Sequence, residues 1–165
     1  MIEYDYVKTR RADVKPFKES QIPASRRVLR WVSKLQVSVY RKSGCRLMNK
    51  FIGGFPICVV TTTGAKSGEP RAIPLIHLPH GENKLLVASQ GGMPGNPAWY
   101  YNVVANPEVK ILVDGLERTY QVRRVSDEEK AALWPHLLSL YPDFDQYQAR
   151  THRNIPVFSC VPVGD

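Results

Sequence analysis

Short, closely spaced β-type segments constrain the fold of this 165-residue chain more than any other feature. These segments are rich in β-branched and other apolar residues, and most of them are separated only by tight turns. Strands that follow one another in this way are typical of an antiparallel meander or a small barrel. The sequence therefore predicts a β-rich α+β domain with strands over residues 57–63, 71–78, 84–89, 109–113, 116–125 and 155–161.

Local signals refine this outline. Asp114-Gly115 predicts a hairpin turn, and Pro74 indicates that the second strand lies at a sheet edge or contains a bulge. Asn96-Pro97 predicts a helix cap followed by the first helical residue, while Ser126 and Glu129 have the spacing of a capping box. Helices are therefore expected over residues 97–104, 126–140 and 143–150.

The net charge of +8 is concentrated at the N-terminus. Residues 1–50 contain 13 of the 23 Lys and Arg residues and four acidic residues, which gives +9, whereas the other 10 bases and 11 acids give −1. A charge excess confined to one segment indicates an electrostatic contact rather than a property of the fold. We expect residues 1–22 to form an irregular, mobile arm and residues 23–165 to form a single domain.

The domain is expected to begin with a basic amphipathic helix after Pro23, with Ser25 as its N-cap. Three interpretations of this helix remain open. It packs on the domain with a solvated basic side, it lies on anionic lipid, or it binds nucleic acid. The absence of RNP, helix-turn-helix and zinc motifs argues against the last interpretation. A mixture of tryptophan, aliphatic residues and cations is typical of the second, and the apolar residues at helical spacing are Val28, Trp31, Val32, Leu35 and Val39.

Several classes of protein are excluded by what the sequence does not contain. No apolar run approaches the roughly 20 residues needed to cross a bilayer, and the N-terminus has no signal-peptide core. Cys45, Cys58 and Cys160 are too few and too far apart for a disulfide framework or a zinc site, and the four histidines have no metal-ligand spacing. We therefore expect a cytoplasmic protein without a metal site.

The stretch TTTGAKSGEPR, residues 61–71, is the strongest candidate for a binding site. Two glycines in a strand-to-strand turn allow backbone N–H groups to converge, and Lys66, Ser67 and Arg71 add donors and positive charge. This combination suits an anionic group such as a phosphate. The GxxxxGK[ST] order of a P-loop is absent, and an ordinary hairpin turn is the alternative interpretation.

Three further stretches are candidates for ligand contacts. Paired glycines after Ser89 allow a flat ligand to approach closely, or the strand simply ends there. The aromatic run at residues 99–101 belongs either to the core or to a site for a flat cofactor. Tyr141, Phe144 and Tyr147 recur every three residues, and if they border a pocket the tyrosine hydroxyls can donate protons or orient a substrate.

Taken together and in this order, these stretches resemble the deazaflavin-dependent nitroreductase family, also described as F420H2-dependent quinone reductases. The resemblance extends from about Trp31 to Val163. It implies a split β-barrel of the flavin- and deazaflavin-binding type with peripheral helices. It also implies reduced coenzyme F420 as the cofactor. The segments that carry it are residues 61–75, 87–92, 96–109 and 141–157.

The resemblance also implies an activity. A family member passes a hydride from the reduced deazaflavin to a small electron-poor acceptor such as a quinone, an enone lactone or a nitroaromatic. A non-catalytic F420- or flavin-binding protein with the same fold is the alternative. The basic N-terminal helix would suit a lipid-soluble quinone, so contact with an anionic membrane and a location at its inner face are expected. No nucleic-acid partner is expected.

By motif position, the resemblance places the cofactor on two strands and a helix, with three departures from the family pattern. Ala65 stands where a family member often has arginine, and Gln90 where it often has lysine. Phe144 stands where a tyrosine lies near the ring. Because Phe144 has no hydroxyl, Tyr147 and Tyr141 are the candidate proton donors, with Ser89 bonding the ring. The cofactor contacts implied are Ala65, Lys66, Ser67, Arg71, Ala72, Ile73, Pro74, Leu75, Ile76, Val87, Ala88, Ser89, Gln90, Ala98, Trp99, Tyr100, Tyr101, Asn102 and Phe144.

Overall fold

The structure is a computed structural model that describes residues 4–164. The strands are β1 (Ile57–Thr63), β2 (Pro70–Ile76), β3 (Leu78–His80), β4 (Asn83–Val87), β5 (Glu108–Val113), β6 (Leu116–Arg124) and β7 (Val157–Pro162). The helices are α1 (Ile22–Lys42), α2 (Ala98–Ala105), α3 (Asp127–Leu140) and α4 (Phe144–Arg150). No helix within this described part is long and apolar enough to span a membrane.

The seven strands form one antiparallel sheet in the order β2-β1-β5-β6-β7-β4-β3. The two edge strands, β2 and β3, are consecutive in the chain and are separated only by His77. Because one residue cannot bridge the width of a flat sheet, the two edges must curl toward each other. This closure confirms the predicted split β-barrel and the β-rich α+β class.

Two apolar clusters account for most of the core. The first lies inside the curled sheet, where Trp99 and Val103 of α2 pack against strand residues such as Val60 and Ile111. The second lies between the sheet and helices α3 and α4, and includes Trp134. The three cysteines are buried and unpaired. Helix α4, which carries Phe144, is thus fixed on one side by the core.

Most local predictions are confirmed. The Ser126 hydroxyl accepts a hydrogen bond from the Glu129 amide at 3.1 Å, and the Glu129 carboxylate accepts one from the Ser126 amide at 3.0 Å, which completes the capping box. Asp114 and Gly115 have φ values of 50° and 83°, as a two-residue hairpin turn requires. Pro74 lies in β2, an edge strand that pairs only with β1.

Two predicted helix caps are wrong. Helix α1 begins at Ile22 rather than after Ser25, because Pro23 is compatible with the first helical turn and Ser25 continues the helix. The N-cap of α2 is Pro97 rather than Asn96. The Asn96 side chain instead accepts a hydrogen bond from Arg153 at 2.8 Å.

Helix α1 contacts the domain through a face that the apolar spacing did not indicate. Gln36, Val37 and Tyr40 are its buried residues. Four of the five periodic apolar residues are exposed, with Val28 at 61% and Trp31 at 73%, whereas Val39 is partly buried. Helix α1 therefore packs on the domain and leaves basic residues such as Arg27 and Arg30 in solvent, as the first interpretation expects, but most of its apolar side is exposed as well.

The N-terminal arm is irregular apart from two short 3-10 turns at residues 11–13 and 19–21. It nevertheless contacts the domain. The amide of Thr9 donates a hydrogen bond to the Asp145 carboxylate at 2.6 Å, and the Tyr6 and Trp134 ring centroids are 5.2 Å apart. The predicted mobility of the arm stays a prediction, and residues 1–3 and 165 lie outside the described residues.

Candidate active site

A small cleft lies where the end of β2, the start of β3, the end of β4 and helix α4 meet. Its volume is about 60 Å³, far below the roughly 300–1,000 Å³ of common ligand pockets. The cleft can therefore accept the edge of a flat ring rather than a whole cofactor. It is lined by Leu75, Ile76, Leu78, Val87, Ser89 and Phe144, of which all but Leu78 belong to the predicted set.

A turn of left-handed residues follows Ser89 and forms one wall of this region. Gln90, Gly91 and Gly92 have φ values of 45°, 65° and 79°. A Cβ atom on Gly92 would lie 2.7 Å from the carbonyl oxygen and 3.1 Å from the Cα atom of Tyr147. Only glycine fits such a contact, so the turn packs its backbone directly on α4.

Helix α4 and the residues before it form the opposite wall. The hydroxyls of Tyr141 and Tyr147 lie 2.9 Å apart, within hydrogen-bond distance. Tyr141 is buried, with ring centroids 4.9 Å from Phe144 and 4.8 Å from Phe55, whereas Tyr147 is partly exposed. The structure thus brings the three residues predicted from their spacing into one aromatic cluster. Among the hydrogen bonds of residues 4–164, none joins Ser89 to either tyrosine.

The two tyrosine hydroxyls differ in their environments. Burial, together with the hydrogen bond to Tyr147, raises the pKa of Tyr141 well above the ordinary value of a tyrosine. Its hydroxyl therefore stays protonated at neutral pH and is a weak acid. A group with such a pKa transfers a proton poorly but can still donate a hydrogen bond. Tyr147, the more exposed of the pair, is the better placed to meet a substrate.

At the other end of β2, the turn at residues 64–68 is tied to helix α2. The Asn102 side chain accepts a hydrogen bond from the Ala65 amide and donates one to the Thr62 hydroxyl, both at 3.0 Å. The Ser67 hydroxyl accepts a hydrogen bond from the Arg71 guanidinium at 3.4 Å. Ala65, Ser67, Arg71 and Asn102 are therefore brought together as predicted, and Lys66 lies exposed in the same turn.

Strand β2 connects these two regions. Ile76 lies five positions after Arg71, which at about 3.3 Å per residue corresponds to roughly 16 Å. Arg71 is exposed, while residues 72–76 are partly buried along the strand. An elongated ligand could therefore lie along β2 with a charged portion at one end and an apolar portion at the other.

Some predicted contacts are part of the core. Ala88 is fully buried, and Trp99 is 6% exposed with its ring centroid 5.8 Å from that of Phe158. Tyr100 also packs against Phe158, whereas Tyr101 is exposed. The three consecutive aromatic residues point in different directions, as expected in a helix. The Trp99 side chain thus has a packing role in this structure.

The residues fit the cofactor that the resemblance implies. The side-chain oxygen of Gln90 is buried and has no hydrogen-bond partner among the described residues. A ring N–H group at the cleft would satisfy this acceptor. The apolar cleft suits an aromatic ring, and Lys66 and Arg71 suit a phosphate and an acidic tail. We therefore take these two regions as the parts of one binding site.

Sequence reasoning missed two residues at this site, Leu78, which lines the cleft, and Arg153, which hydrogen-bonds the backbone of the strand end that carries Ser89. It singled out Gly92 for contact with a ligand or a strand end, whereas the structure uses Gly92 for the close contact with α4. Gly92 and Arg153 lie in two of the segments that carry the resemblance. Their partners are backbone atoms, however, and no sequence pattern identifies such partners.

Comparisons with known proteins agree with this arrangement. The family model of the F420H(2)-dependent quinone reductases matches residues 31–162. An F420H(2)-dependent quinone reductase of Mycobacterium tuberculosis is 37% identical over 128 residues, which cover 75% of this chain and 85% of the relative. The solved structure of an F420-H2-dependent reductase, FDR-A, is similar at 40% identity and a TM-score of 0.60, covering 64% of this chain and 93% of that chain.

The family model covers most of the chain, and it begins and ends within one residue of the limits inferred from the motifs. The M. tuberculosis relative aligns over three quarters of this chain at 37% identity. This chain therefore belongs to the F420H(2)-dependent quinone reductase family.

Proposed function

We propose that this protein reduces quinone-type acceptors with reduced coenzyme F420, at the cleft between β2, β4 and α4. When bound, the cofactor supplies the hydride. One observation carries the proposal. Strand β2 joins an apolar cleft, lined by five predicted cofactor contacts, to a cationic turn that suits an anionic tail.

The chain's own residues hold and shield the cofactor. Lys66 and Arg71 bind the anionic tail, because both are exposed cations beside the backbone of the turn. The Gln90 side chain and Ser89 hydrogen-bond the ring. Phe144 forms an apolar wall that excludes water, which strengthens these polar contacts.

The tyrosine pair serves the acceptor. A quinone that accepts a hydride develops negative charge on an oxygen, and a positioned donor stabilises that charge. Tyr147 donates this hydrogen bond, while Tyr141 orients the Tyr147 hydroxyl through the 2.9 Å contact. Because Tyr141 is buried and bonded to Tyr147, solvent rather than Tyr141 supplies the final proton.

The experiment is a stopped-flow assay of the protein with reduced F420 and menadione. We expect repeated oxidation of the cofactor that requires protein, cofactor and quinone together. Reduced FMN in place of F420 is the control for cofactor choice. Quenching of the cofactor signal without turnover would identify a binding protein instead, and the absence of any F420 binding would refute the proposal.

We also propose that the protein docks on anionic lipid, from which a lipid-soluble quinone reaches the cleft. The outward side of α1 and the loop after it both expose apolar residues, which together we call the apolar surface, and the two segments are joined where the Gln36 side chain donates a hydrogen bond to the Met48 carbonyl at 3.1 Å. Ile52 is 86% exposed. The members of this apolar surface are Val28, Leu29, Trp31, Val32, Leu35, Leu47, Met48, Phe51 and Ile52.

The charges around this apolar surface favour contact with an anionic membrane. Exposed cations border it, namely Arg27, Arg30, Lys34, Arg46 and Lys50. Exposed apolar residues beside cations are typical of helices that lie in the headgroup region. Phe51 belongs to the apolar surface, and its ring centroid lies 6.3 Å from that of Tyr141. The surface therefore reaches the aromatic cluster of the active site.

Vesicle flotation tests the docking. We expect the protein to float with vesicles that contain phosphatidylglycerol, to float less with neutral vesicles, and to dissociate at high salt. Trp31→Ser with Ile52→Ser, or Ala at Arg27, Arg30 and Lys34, should each weaken flotation. Leu116→Ser, at a comparably exposed residue in the β5–β6 hairpin, is the matched control. Equal flotation of all variants would refute the docking proposal.

A further inference from the structure

Arg153 is a partly buried arginine that is bonded to neutral groups. Its Nε atom donates to the Met93 carbonyl at 2.9 Å, and Nη1 donates to the Asn96 side chain at 2.8 Å. Its Nη2 atom donates to the carbonyls of Ala88 at 3.0 Å and Ser89 at 2.8 Å. Among the described residues, no carboxylate forms a salt bridge with it. Burial lowers the pKa of Arg153 to about 10, which leaves it charged at neutral pH.

The four acceptors lie on both sides of the left-handed turn at residues 90–92. Ala88 and Ser89 precede the turn, and Met93 and Asn96 follow it. A planar guanidinium has donors in a fixed arrangement, so one side chain can hold two separated stretches of backbone at a set distance. Arg153 therefore determines the shape of the turn that positions Ser89.

Arg153 is itself fixed to helix α4. The Gln148 side chain donates a hydrogen bond to the Arg153 carbonyl at 2.8 Å and accepts one from the Lys130 ammonium at 2.8 Å. Gln148 is buried in the same helix that begins with Phe144. The chain of contacts thus runs from the Ser89 wall of the cleft, through Arg153, to the Phe144 wall.

We infer that Arg153 is a positioning residue that sets the separation of the two cleft walls, and thereby the fit of the cofactor ring. This inference rests on the proposed function and adds to it a residue that touches neither ring nor acceptor. Gly92 makes the direct contact between turn and helix, while Arg153 holds the backbone on either side of that contact. Loss of the guanidinium should loosen the turn, which would then be held to α4 by the Gly92 contact and by the bond from Arg150 to the Gly91 carbonyl at 2.7 Å.

The test compares Arg153→Ala and Arg153→Lys with the wild type. We expect Arg153→Ala to raise the Kd for oxidised F420, measured by its fluorescence, by about tenfold or more, the scale of lost hydrogen bonds to a charged group. Amide exchange at residues 90–93 should become faster in the ligand-free protein. Guanidinium chloride, added far below denaturing concentrations, should restore part of the affinity of Arg153→Ala.

Arg123→Ala is the matched control, because Arg123 makes two hydrogen bonds to Glu129 on the exposed surface. It should leave the Kd unchanged. If Arg153→Ala does not fold, Arg153→Lys decides, because it keeps the charge but cannot reach all four acceptors. A variant with lower Tm but wild-type Kd and wild-type exchange in the turn would overturn the inference. No F420 binding by the wild type would instead overturn the proposed function.

Discussion

The two ends of strand β2 differ in how they can hold one elongated ligand. At the Arg71 end, charged side chains are exposed and the turn is bonded mainly to itself and to Asn102. At the Ile76 end, the cleft is apolar, and its walls are fixed by buried contacts between the glycine turn, Arg153 and α4. On the proposed function, binding would depend on charge at the first end and on shape at the second.

This difference determines how each end tolerates change. Exposed charges interact through water, so their contributions are modest and weaken with salt. The residues of a closely packed wall cannot move without disturbing their neighbours, so small substitutions there have large effects on stability. We therefore expect substitutions at the cleft to have larger effects than substitutions at the turn. Three predictions test this order.

The largest effect is expected from Gly92→Ala. Alanine at a positive φ costs about 1–2 kcal/mol, and a Cβ placed 2.7 Å from the Tyr147 carbonyl oxygen adds overpacking of roughly 1–3 kcal/mol. Gly68→Ala in the cationic turn is the matched control, because its φ is +69° but its Cβ would meet open space. Thermal unfolding and F420 titration measure both. Equal losses of stability and of F420 affinity in the two variants would contradict the proposed difference between the two ends of β2.

A smaller effect is expected from the aromatic cluster. Tyr147→Phe should lower kcat on menadione by up to about tenfold, since one hydrogen bond to the developing oxyanion contributes roughly 0.5–1.5 kcal/mol. Tyr141→Phe should lower kcat less, because Tyr141 acts through Tyr147.

The same cluster predicts substrate choice. Phe144 supplies no hydroxyl, so bicyclic nitroimidazoles should be poor substrates of the wild type and better substrates of Phe144→Tyr. Efficient nitroimidazole reduction by the wild type, without loss in either tyrosine variant, would show that the donor lies elsewhere.

The smallest effect is expected at the cationic turn. Lys66→Ala and Arg71→Ala should each weaken F420 binding by about 0.2–1 kcal/mol at low salt, the range for solvent-exposed ion pairs, because both side chains are exposed. Calorimetric titration at two salt concentrations measures this, with Lys110→Ala on the exposed side of β5 as the control. Wild-type affinity in both variants at low salt would refute the tail assignment.

Much of the barrel could be predicted from local chemistry. The β-branched run of β1, the Asp114-Gly115 turn and the Ser126 capping box each depend on residues close in sequence, and each is confirmed. The pairing of β7 with both β4 and β6 is long-range, and no local signal indicated it.

The outward side of α1 shows where periodicity is insufficient. Apolar spacing predicts that a helix has an apolar face but not which neighbour covers it. The buried face of α1 contains Gln36, whose polar side chain is satisfied by a carbonyl of the following loop. Arg153 was not predicted for a related reason. Most of its hydrogen-bond partners are backbone carbonyls, which every residue has, so no residue type in the sequence indicates them.

The position of β7 in the sheet has a consequence for biosynthesis. Without β7, the strand order separates into a four-stranded part, β2-β1-β5-β6, and a two-stranded part, β4-β3. Each part would expose an unpaired edge on a nascent chain, and such edges promote association with other chains. Cooperative folding therefore waits until residues 157–162 leave the ribosome, and the many contacts between distant residues make the final step slow. We therefore expect chaperones to raise the yield of folded protein during synthesis, because of this strand order rather than any weakness of the finished barrel.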